Sequence, residues 1–174
     1  MKYFVRFFVI TFLLILSTNA FAEDKIAFLD LKYVLNESKA GKGAQEFLKK
    51  SLKDNSKKYS DMEQNLKKEE SDLLTKKTIL SKEEYVKKSD ALRKKVIDYQ
   101  SQRRASLDKI STQRAEARST LIKSIEPLLQ AYIKENNISL VVDKKTVLAG
   151  NSSNDITKII VDKLNKVLPS IALK

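Results

Sequence analysis

The sequence predicts a mainly α-helical protein with a small β head and one long antiparallel helical-hairpin arm per chain. From Ala44 to Glu126 the chain has neither glycine nor proline and is rich in residues that favour helices. Short apolar runs typical of strands lie at both ends, in KIAFLD from Lys25 and in SLVVD from Ser139. We therefore assign residues 23–38 and 127–174 to a head and residues 39–126 to an arm.

Residues 1–22 are predicted to be a cleaved signal peptide. Lys2 and Arg6 accompany an apolar run from Phe7 to Leu16, and Ala20-Phe21-Ala22 fits a signal peptidase site. The apolar run is short for a membrane span, which favours cleavage over the alternative of a retained anchor. The mature chain would begin at Glu23 and act outside the cytoplasm.

The composition argues against an enzyme. The chain has no Cys, His or Trp, so the commonest metal ligands and the commonest general base are missing and no disulfide can form. We predict no catalytic residue, no metal site and no cofactor.

Charge is concentrated in the arm. Without residues 1–22 the chain has 32 basic and 22 acidic residues, and residues 39–126 contain 23 of the basic against 14 of the acidic ones. This balance predicts anionic partners, which include acidic protein, lipid headgroups and nucleic acid. Export makes nucleic acid the least expected of the three.

The arm is predicted to fold back on itself near residue 80. One apolar series recurs every seven residues, at Leu52, Tyr59, Leu66 and Leu73. A second series is spaced mostly by three and four, at Leu92, Val96, Tyr99, Leu107, Ile110, Ala117 and Leu121. Between them Ser81 and Glu84 form a capping box that starts a new helix. The alternative is one continuous helix in a parallel coiled coil.

The head is predicted to be completed by other copies of the chain. Its strands are apolar on both faces, and the segment from Ser139 to Thr157 is expected to form a small hairpin before a helix capped at Asn154 or Asp155. That helix carries the stripe Ile156, Ile159, Ile160, Leu164 and Val167. A head of about 60 residues without disulfides or metal is marginal alone, which predicts oligomerisation. The residues expected to form the interface are Ile26, Phe28, Leu140, Val142 and Val147.

Pro127 lies where the arm meets the head. Apolar spacing continues beyond it through Leu128, Leu129, Tyr132 and Ile133. We interpret it as a helix kink, with a helix end as the alternative.

This order of parts resembles the Skp/OmpH family of periplasmic chaperones. The resemblance spans the mature chain, and its specific parts are Ile26 to Asp30 with Val34, Ser38 and Gly41, and Leu140 to Asp143 with Val147 and Asp155-Ile156-Thr157. It implies a homotrimer in which the short strands are pooled into a β body and the helical arms enclose a cavity. It also implies an ATP-independent holdase that binds unfolded outer-membrane proteins in the periplasm and prevents their aggregation.

Two basic groups are candidate binding residues. The first, the tip cluster, is expected to steer acidic clients or touch anionic membrane, the alternative being a solvated charged end; it comprises Lys76, Lys77, Lys82, Lys87, Lys88, Arg93, Lys94 and Lys95. The second is Arg103-Arg104, since similar chaperones carry an arginine pair in a proposed lipopolysaccharide site. Ordinary exposed arginines are the alternative.

Two other functions compete with the holdase. One is a basic architectural coiled-coil protein that binds polyanions such as nucleic acid or envelope lipopolysaccharide; the chain lacks the interleaved aromatics or recognition motif expected of a nucleic-acid binder. The other is a membrane-surface tether, for which the arm has too few bulky apolar residues.

Overall fold

The computed structural model describes residues 25–173, so the predicted signal peptide lies outside the described residues. The predicted fold class, mainly helical with a small sheet, is confirmed. The elements, in chain order, are β1 (Lys25–Leu29), α1 (Leu31–Glu37), α2 (Lys39–Thr75), α3 (Lys82–Glu135), β2 (Ile138–Asp143), 3-10 turns at Lys144–Thr146 and Ser152–Asn154, and α4 (Thr157–Val167). Within residues 25–173, no helix has both the length and the hydropathy to cross a membrane.

Helices α2 and α3 form the predicted antiparallel hairpin. The turn between them spans residues 76–81, and Ser81 begins α3 with a complete capping box. The Glu84 N–H donates to the Ser81 hydroxyl at 3.3 Å, and the Ser81 N–H donates to the Glu84 carboxylate at 3.1 Å. At 1.5 Å per residue, α2 is about 55 Å long. The single continuous helix is therefore excluded.

A tight corner joins α1 to α2. Ser38 is fully buried there, and its hydroxyl accepts a hydrogen bond from the Gly41 N–H at 3.2 Å. A Cβ atom at residue 41 would lie 1.9 Å from the Leu35 carbonyl oxygen. The two helices can approach this closely only because residue 41 has no side chain.

The head sheet differs from the predicted hairpin. β2 pairs in parallel with β1, and its register places Ile26 opposite Leu140 and Phe28 opposite Val142. No second strand follows β2 within the described residues. The Asp143 carboxylate accepts the Lys145 N–H at 3.0 Å and so turns the chain into a 3-10 turn instead. The hairpin prediction was wrong because β2 pairs with β1, a strand remote in sequence, instead of with the segment that follows it.

β1 is the central strand of the head. One edge pairs with β2, and on the other edge Phe28 bridges to Asp155, with the Ile156 N–H donating to the Phe28 carbonyl at 3.1 Å. The inner face of the sheet contributes Ala27 and Leu29 to the core. The other buried apolar residues of this core are Val34, Leu35, Ala40, Leu121, Ile125, Ile138, Ile156, Ile160 and Leu164.

Helix α4 covers the core with only part of its predicted stripe. Ile156, Ile160 and Leu164 are buried, whereas Ile159 and Val167 remain exposed. The helix begins at Thr157 without a side-chain cap at the residue before it. Asp155 instead accepts the Thr157 N–H at 3.0 Å, which turns the chain into the helix.

Pro127 lies inside α3, which continues to Glu135, so a helix end at this position is excluded. The residues after it pack against the head core: Leu128, Leu129, Tyr132 and Ile133. The second helix of the arm therefore runs directly into the head.

Candidate functional site

A polar and aromatic layer near the middle of the arm fixes how α2 and α3 pair. The buried rings of Tyr59 and Tyr99 lie 6.0 Å apart at an angle of 60°. The Tyr59 hydroxyl donates to the Gln102 carbonyl at 2.9 Å, and the Ser106 hydroxyl donates to the Asn55 side-chain oxygen at 2.6 Å. Sliding one helix along the other would leave these buried groups unpaired, so the layer holds the register.

This register divides the arm into two halves with different charge. The proximal half, residues 39–62 and 100–126, has 13 basic and 6 acidic residues. The distal half, residues 63–99, has 10 basic and 8 acidic residues. Read along the sequence, residues 76–95 look strongly basic. The hairpin, however, brings the acidic residues of the second half of α2 beside them, so most of the excess positive charge lies near the head.

Two members of the tip cluster have carboxylate partners. The Lys95 ammonium lies 2.6 Å from the Glu69 carboxylate across the two helices, and the Arg93 guanidinium lies 3.1 Å from Asp90 on its own helix. The Lys77 ammonium lies 6.0 Å from the centre of the Tyr85 ring. Among the described residues no carboxylate lies within 4.0 Å of the other five ammonium groups, which are those of Lys76, Lys82, Lys87, Lys88 and Lys94. These five are exposed and available to a partner.

The end of the arm also exposes apolar side chains. Ile79, in the turn, is 82% exposed, and Leu74 and Val86 beside the turn are exposed as well. None of these residues was predicted to be functional, although a lysine-rich turn that also carries isoleucine is visible in the sequence. The tip is therefore both basic and apolar.

Arg103 and Arg104 have different surroundings. Both are exposed, but Arg103 lines a hollow of about 240 Å³ beside Tyr59, Tyr99 and Leu107, whereas Arg104 does not. Successive residues on a helix point about 100° apart, so the two side chains leave the helix in different directions.

Glu63 lies on the wall of the same hollow. Its hydrogen bond and charge attraction with Lys67, 2.8 Å away, hold the pKa of its carboxyl below the ordinary value, with smaller contributions from the Tyr99 hydroxyl and Arg103. The carboxylate therefore stays ionised and offsets part of the charge of Arg103.

An open groove lies between α2 and α3 in the distal half. This distal groove has a volume of about 460 Å³, and its apolar lining consists of Leu66, Leu73, Leu74, Tyr85, Leu92, Val96 and Tyr99. Most of these seam residues are only partly buried, so the two helices do not close over them. Glu63, Lys67, Glu70 and Arg93 line it with balanced charge.

A second open groove lies between the same helices beside the head. This proximal groove has a volume of about 820 Å³, and its lining includes Leu35, Ala44, Leu48, Leu52, Ala117 and Leu121. Its charged lining residues are Lys42, Lys49, Arg114, Arg118 and a single carboxylate, Glu46. This groove was not predicted from the sequence. The available signal was alanine at positions 44 and 117, where a tightly packed seam would carry leucine.

The head presents a partly open apolar surface. The outer face of the sheet carries four of the predicted interface residues, and among them Ile26 is 48% and Leu140 is 52% exposed. Phe28 is only 9% exposed because its own chain covers it: a Cβ atom at Gly150 would lie 3.2 Å from its ring. Val142 and Val147 are half-buried. The open part of this face is therefore centred on Ile26 and Leu140.

The structure brings no metal-binding group together in the part of the chain that it describes. Among residues 25–173, no cluster of three or more His, Cys, Asp or Glu side chains could hold a metal ion.

The model of the family described as outer membrane protein (OmpH-like) matches residues 25–164. A Skp-like protein from Pseudomonas aeruginosa is 25% identical over 171 residues, which covers 96% of this chain and 99% of that protein. A crystal structure from Caulobacter crescentus, described as an outer membrane chaperone (OmpH-like), is similar with a TM-score of 0.78 and 18% identity. That similarity covers 85% of this chain and 88% of the other, and it shows a shared fold.

Proposed function

The chain belongs to the family of OmpH-like outer membrane proteins, and on that premise we propose that it is an ATP-independent holdase chaperone of the periplasm. It binds unfolded outer-membrane proteins after their export and keeps them from aggregating. Residues 1–22 direct that export and are then removed. The described relatives named Skp-like and outer membrane chaperone support this assignment.

The observation that carries the proposal is an arm with open apolar grooves and excess positive charge. An unfolded client offers short apolar segments and carboxylates but no fixed shape, so its binder needs shallow, adaptable contacts. The seam between α2 and α3 leaves grooves of about 460 and 820 Å³ open to solvent. Lysine stems also cover apolar client surface while their ammonium groups stay hydrated.

The tip cluster takes part through its unpaired lysines. Lys76, Lys82, Lys87, Lys88 and Lys94 are free to meet client carboxylates or an anionic membrane surface, while Arg93, Lys95 and Lys77 contribute from their contacts with Asp90, Glu69 and Tyr85. Exposed Leu74, Ile79 and Val86 add apolar contact at the same end. Arg103 is the better placed of the arginine pair for a lipopolysaccharide phosphate because it lines a hollow, and Arg104 extends the charge to the next face.

The head joins the copies into a homotrimer. Ile26 and Leu140 lie opposite each other on the outer face of the sheet and are about half exposed, so a second chain would remove further apolar area from water. Val142 and Val147 border this area, and Phe28 lies on the same face next to Gly150 of its own chain. Leu148 is also fully exposed in the single chain.

An aggregation assay tests the holdase function. An outer-membrane β-barrel protein diluted from urea scatters light as it aggregates, and we expect the exported protein to suppress that scattering at sub-stoichiometric trimer levels without ATP. The competing polyanion-binding function predicts no suppression and tight binding to DNA at about 150 mM salt, where screening has removed weak charge attraction. That pair of results would overturn the holdase proposal.

A further inference from the structure

The proximal groove combines an apolar lining with unpaired cations. Ala44 and Ala117 are small and buried, so α2 and α3 leave space between them, and Leu52 adds an apolar wall that is 36% exposed. Leu52 also lines the hollow beside Tyr59 and Tyr99, so apolar surface continues from the head towards the middle of the arm. This length of surface suits an extended segment rather than a single small molecule.

Four of the five charged residues that line this groove are cations, and the fifth is Glu46. Lys42 is paired with Glu37 at 2.8 Å, but within residues 25–173 no carboxylate lies within 4.0 Å of Lys49, Arg114 or Arg118. Guanidinium groups bind carboxylates with two parallel hydrogen bonds, which makes the two arginines strong sites for an acidic side chain. The groove is therefore complementary to a ligand that is apolar along its middle and negative along its edges.

The distal groove of the same arm provides a contrast. It is also apolar, but Lys67 is paired with Glu63 at 2.8 Å, Arg93 with Asp90 at 3.1 Å, and Glu70 adds a further negative charge to the lining. A neutral apolar segment suits it better than an acidic one. The two grooves thus differ in charge although they are formed by the same pair of helices.

We propose that the proximal groove is a binding site for an acidic amphipathic segment of an unfolded polypeptide. Apolar side chains of the segment lie along Leu48 and Leu52, and its carboxylates pair with Lys49, Arg114 and Arg118. A second copy of the arm is a poor occupant because the proximal half is itself basic, with 13 basic and 6 acidic residues. This site rests on the proposed holdase function and specifies which client segments it prefers.

Paired charge variants test the site. K49Q/R118Q removes two cations from the groove, and K50Q/K123Q removes two exposed cations from the same two helices without touching the groove lining. Two peptides serve as probes: one alternates Leu and Phe with Glu, and the other carries Gln in place of Glu. We expect K49Q/R118Q to weaken binding of the acidic peptide five- to tenfold and binding of the neutral peptide less than twofold, as measured by fluorescence anisotropy. K50Q/K123Q should weaken binding of the acidic peptide less than twofold. Equal losses of affinity in the two variants would show that attraction is diffuse and would overturn the proposed site.

A fluorescent label locates the bound segment. The chain has no cysteine, so L52C places a single environment-sensitive dye in the groove and S119C places it on another face of α3. Binding of the acidic peptide should shift the L52C emission to the blue and leave S119C unchanged. An unchanged L52C emission would overturn the proposal.

Light scattering separates the remaining explanations. If K49Q/R118Q changed the mass of the assembly while K50Q/K123Q did not, the groove would be an interface between copies and the proposal would fail. The holdase function fails separately, because it is judged by the wild-type protein in the aggregation assay. If the wild-type protein suppresses aggregation but the two variants bind the peptides alike, only the groove proposal is refuted.

Discussion

Gly41 allows the tight corner between α1 and α2, because a methyl group at this residue would clash with α1. A Cβ atom there would lie 1.9 Å from the Leu35 carbonyl oxygen and 2.9 Å from the Ser38 hydroxyl, and neither atom can move freely because Ser38 is buried. The closer contact is with a backbone atom, so side-chain rotation cannot relieve it. The sequence showed a glycine here but could not show what it approaches.

Replacement of Gly41 tests this contact. We expect G41A to destabilise the protein by about 2–3 kcal/mol, the usual range for forcing extra atoms into a packed site. G43A is the matched control, because no atom lies within 4 Å of a Cβ at residue 43 and alanine favours a helix over glycine by up to about 1 kcal/mol. Urea unfolding should therefore move in opposite directions for the two variants. Equal midpoints would contradict the steric argument.

The capping box is the element-scale feature that the sequence located best. Ser81 and Glu84 were predicted to start a helix, and both reciprocal hydrogen bonds are present. The spacing of the two residues is a local signal, since a capping box forms between residues three apart and needs no distant partner. The turn position near residue 80 followed for the same reason.

Removal of the cap tests how α3 begins. S81A should cost about 1 kcal/mol of local stability and speed amide hydrogen exchange at residues 82–85. The Ser81 side chain and backbone N–H hold the pKa of the Glu84 carboxyl below its ordinary value of 4.5. These hydrogen bonds therefore stabilise the folded state above the ordinary pKa of the carboxyl, and that stabilisation is lost as the pH falls through the lowered pKa. Titration by NMR should show the Glu84 pKa rising in S81A, and an unchanged pKa would show that the serine hydroxyl contributes little.

The elements of the head were harder to predict. The apolar runs from Lys25 and from Ser139 were correctly predicted to form strands, which span 25–29 and 138–143, but the second was expected to pair with its neighbour in a hairpin. It pairs with β1 in parallel instead, across more than 100 residues of intervening chain. Periodicity identifies a strand but not the strand with which it pairs. That pairing depends on the arm, which brings the two ends of the chain together.

Charge shows the same limit at the level of paired helices. The basic residues of the tip cluster all fall within residues 76–95, while Glu63, Glu69, Glu70 and Asp72 belong to α2. Only the register set at Tyr59 and Tyr99 shows that the distal half is nearly balanced and the proximal half is basic. The tip remains a proposed contact, and the proximal groove adds a site that no linear count of charge could locate.

At the scale of the whole molecule, the single chain leaves apolar surface open at both ends. The outer face of the head sheet exposes Ile26 and Leu140, and the far end of the arm exposes Ile79. The first surface joins residues that lie opposite each other on two paired strands, which suits contact between copies. The second is small, consists of Ile79 with Leu74 and Val86 beside a charged turn, and suits a transient partner.

Charge substitutions distinguish the two ends. I26E/L140E should dissociate the proposed trimer into single chains by light scattering, because two carboxylates would have to be buried at each interface without a partner. I79E, at a position 82% exposed in the turn of the arm, should leave the mass unchanged. A trimeric mass for I26E/L140E would show that the copies join through another surface.

The sequence by itself determined the helical arm, the residue at which it turns and the strand-forming ends, since these depend on periodicity and on contacts between residues a few positions apart. Its resemblance to the Skp/OmpH family also agreed with the family match over residues 25–164. The tertiary structure decided the rest: the parallel pairing of β1 with β2, the closed corner at Gly41, the charge difference between the arm's halves and the groove beside Leu52. Each of these features depends on which residues come close together when the helices and strands pack. A pattern along the sequence does not carry that information.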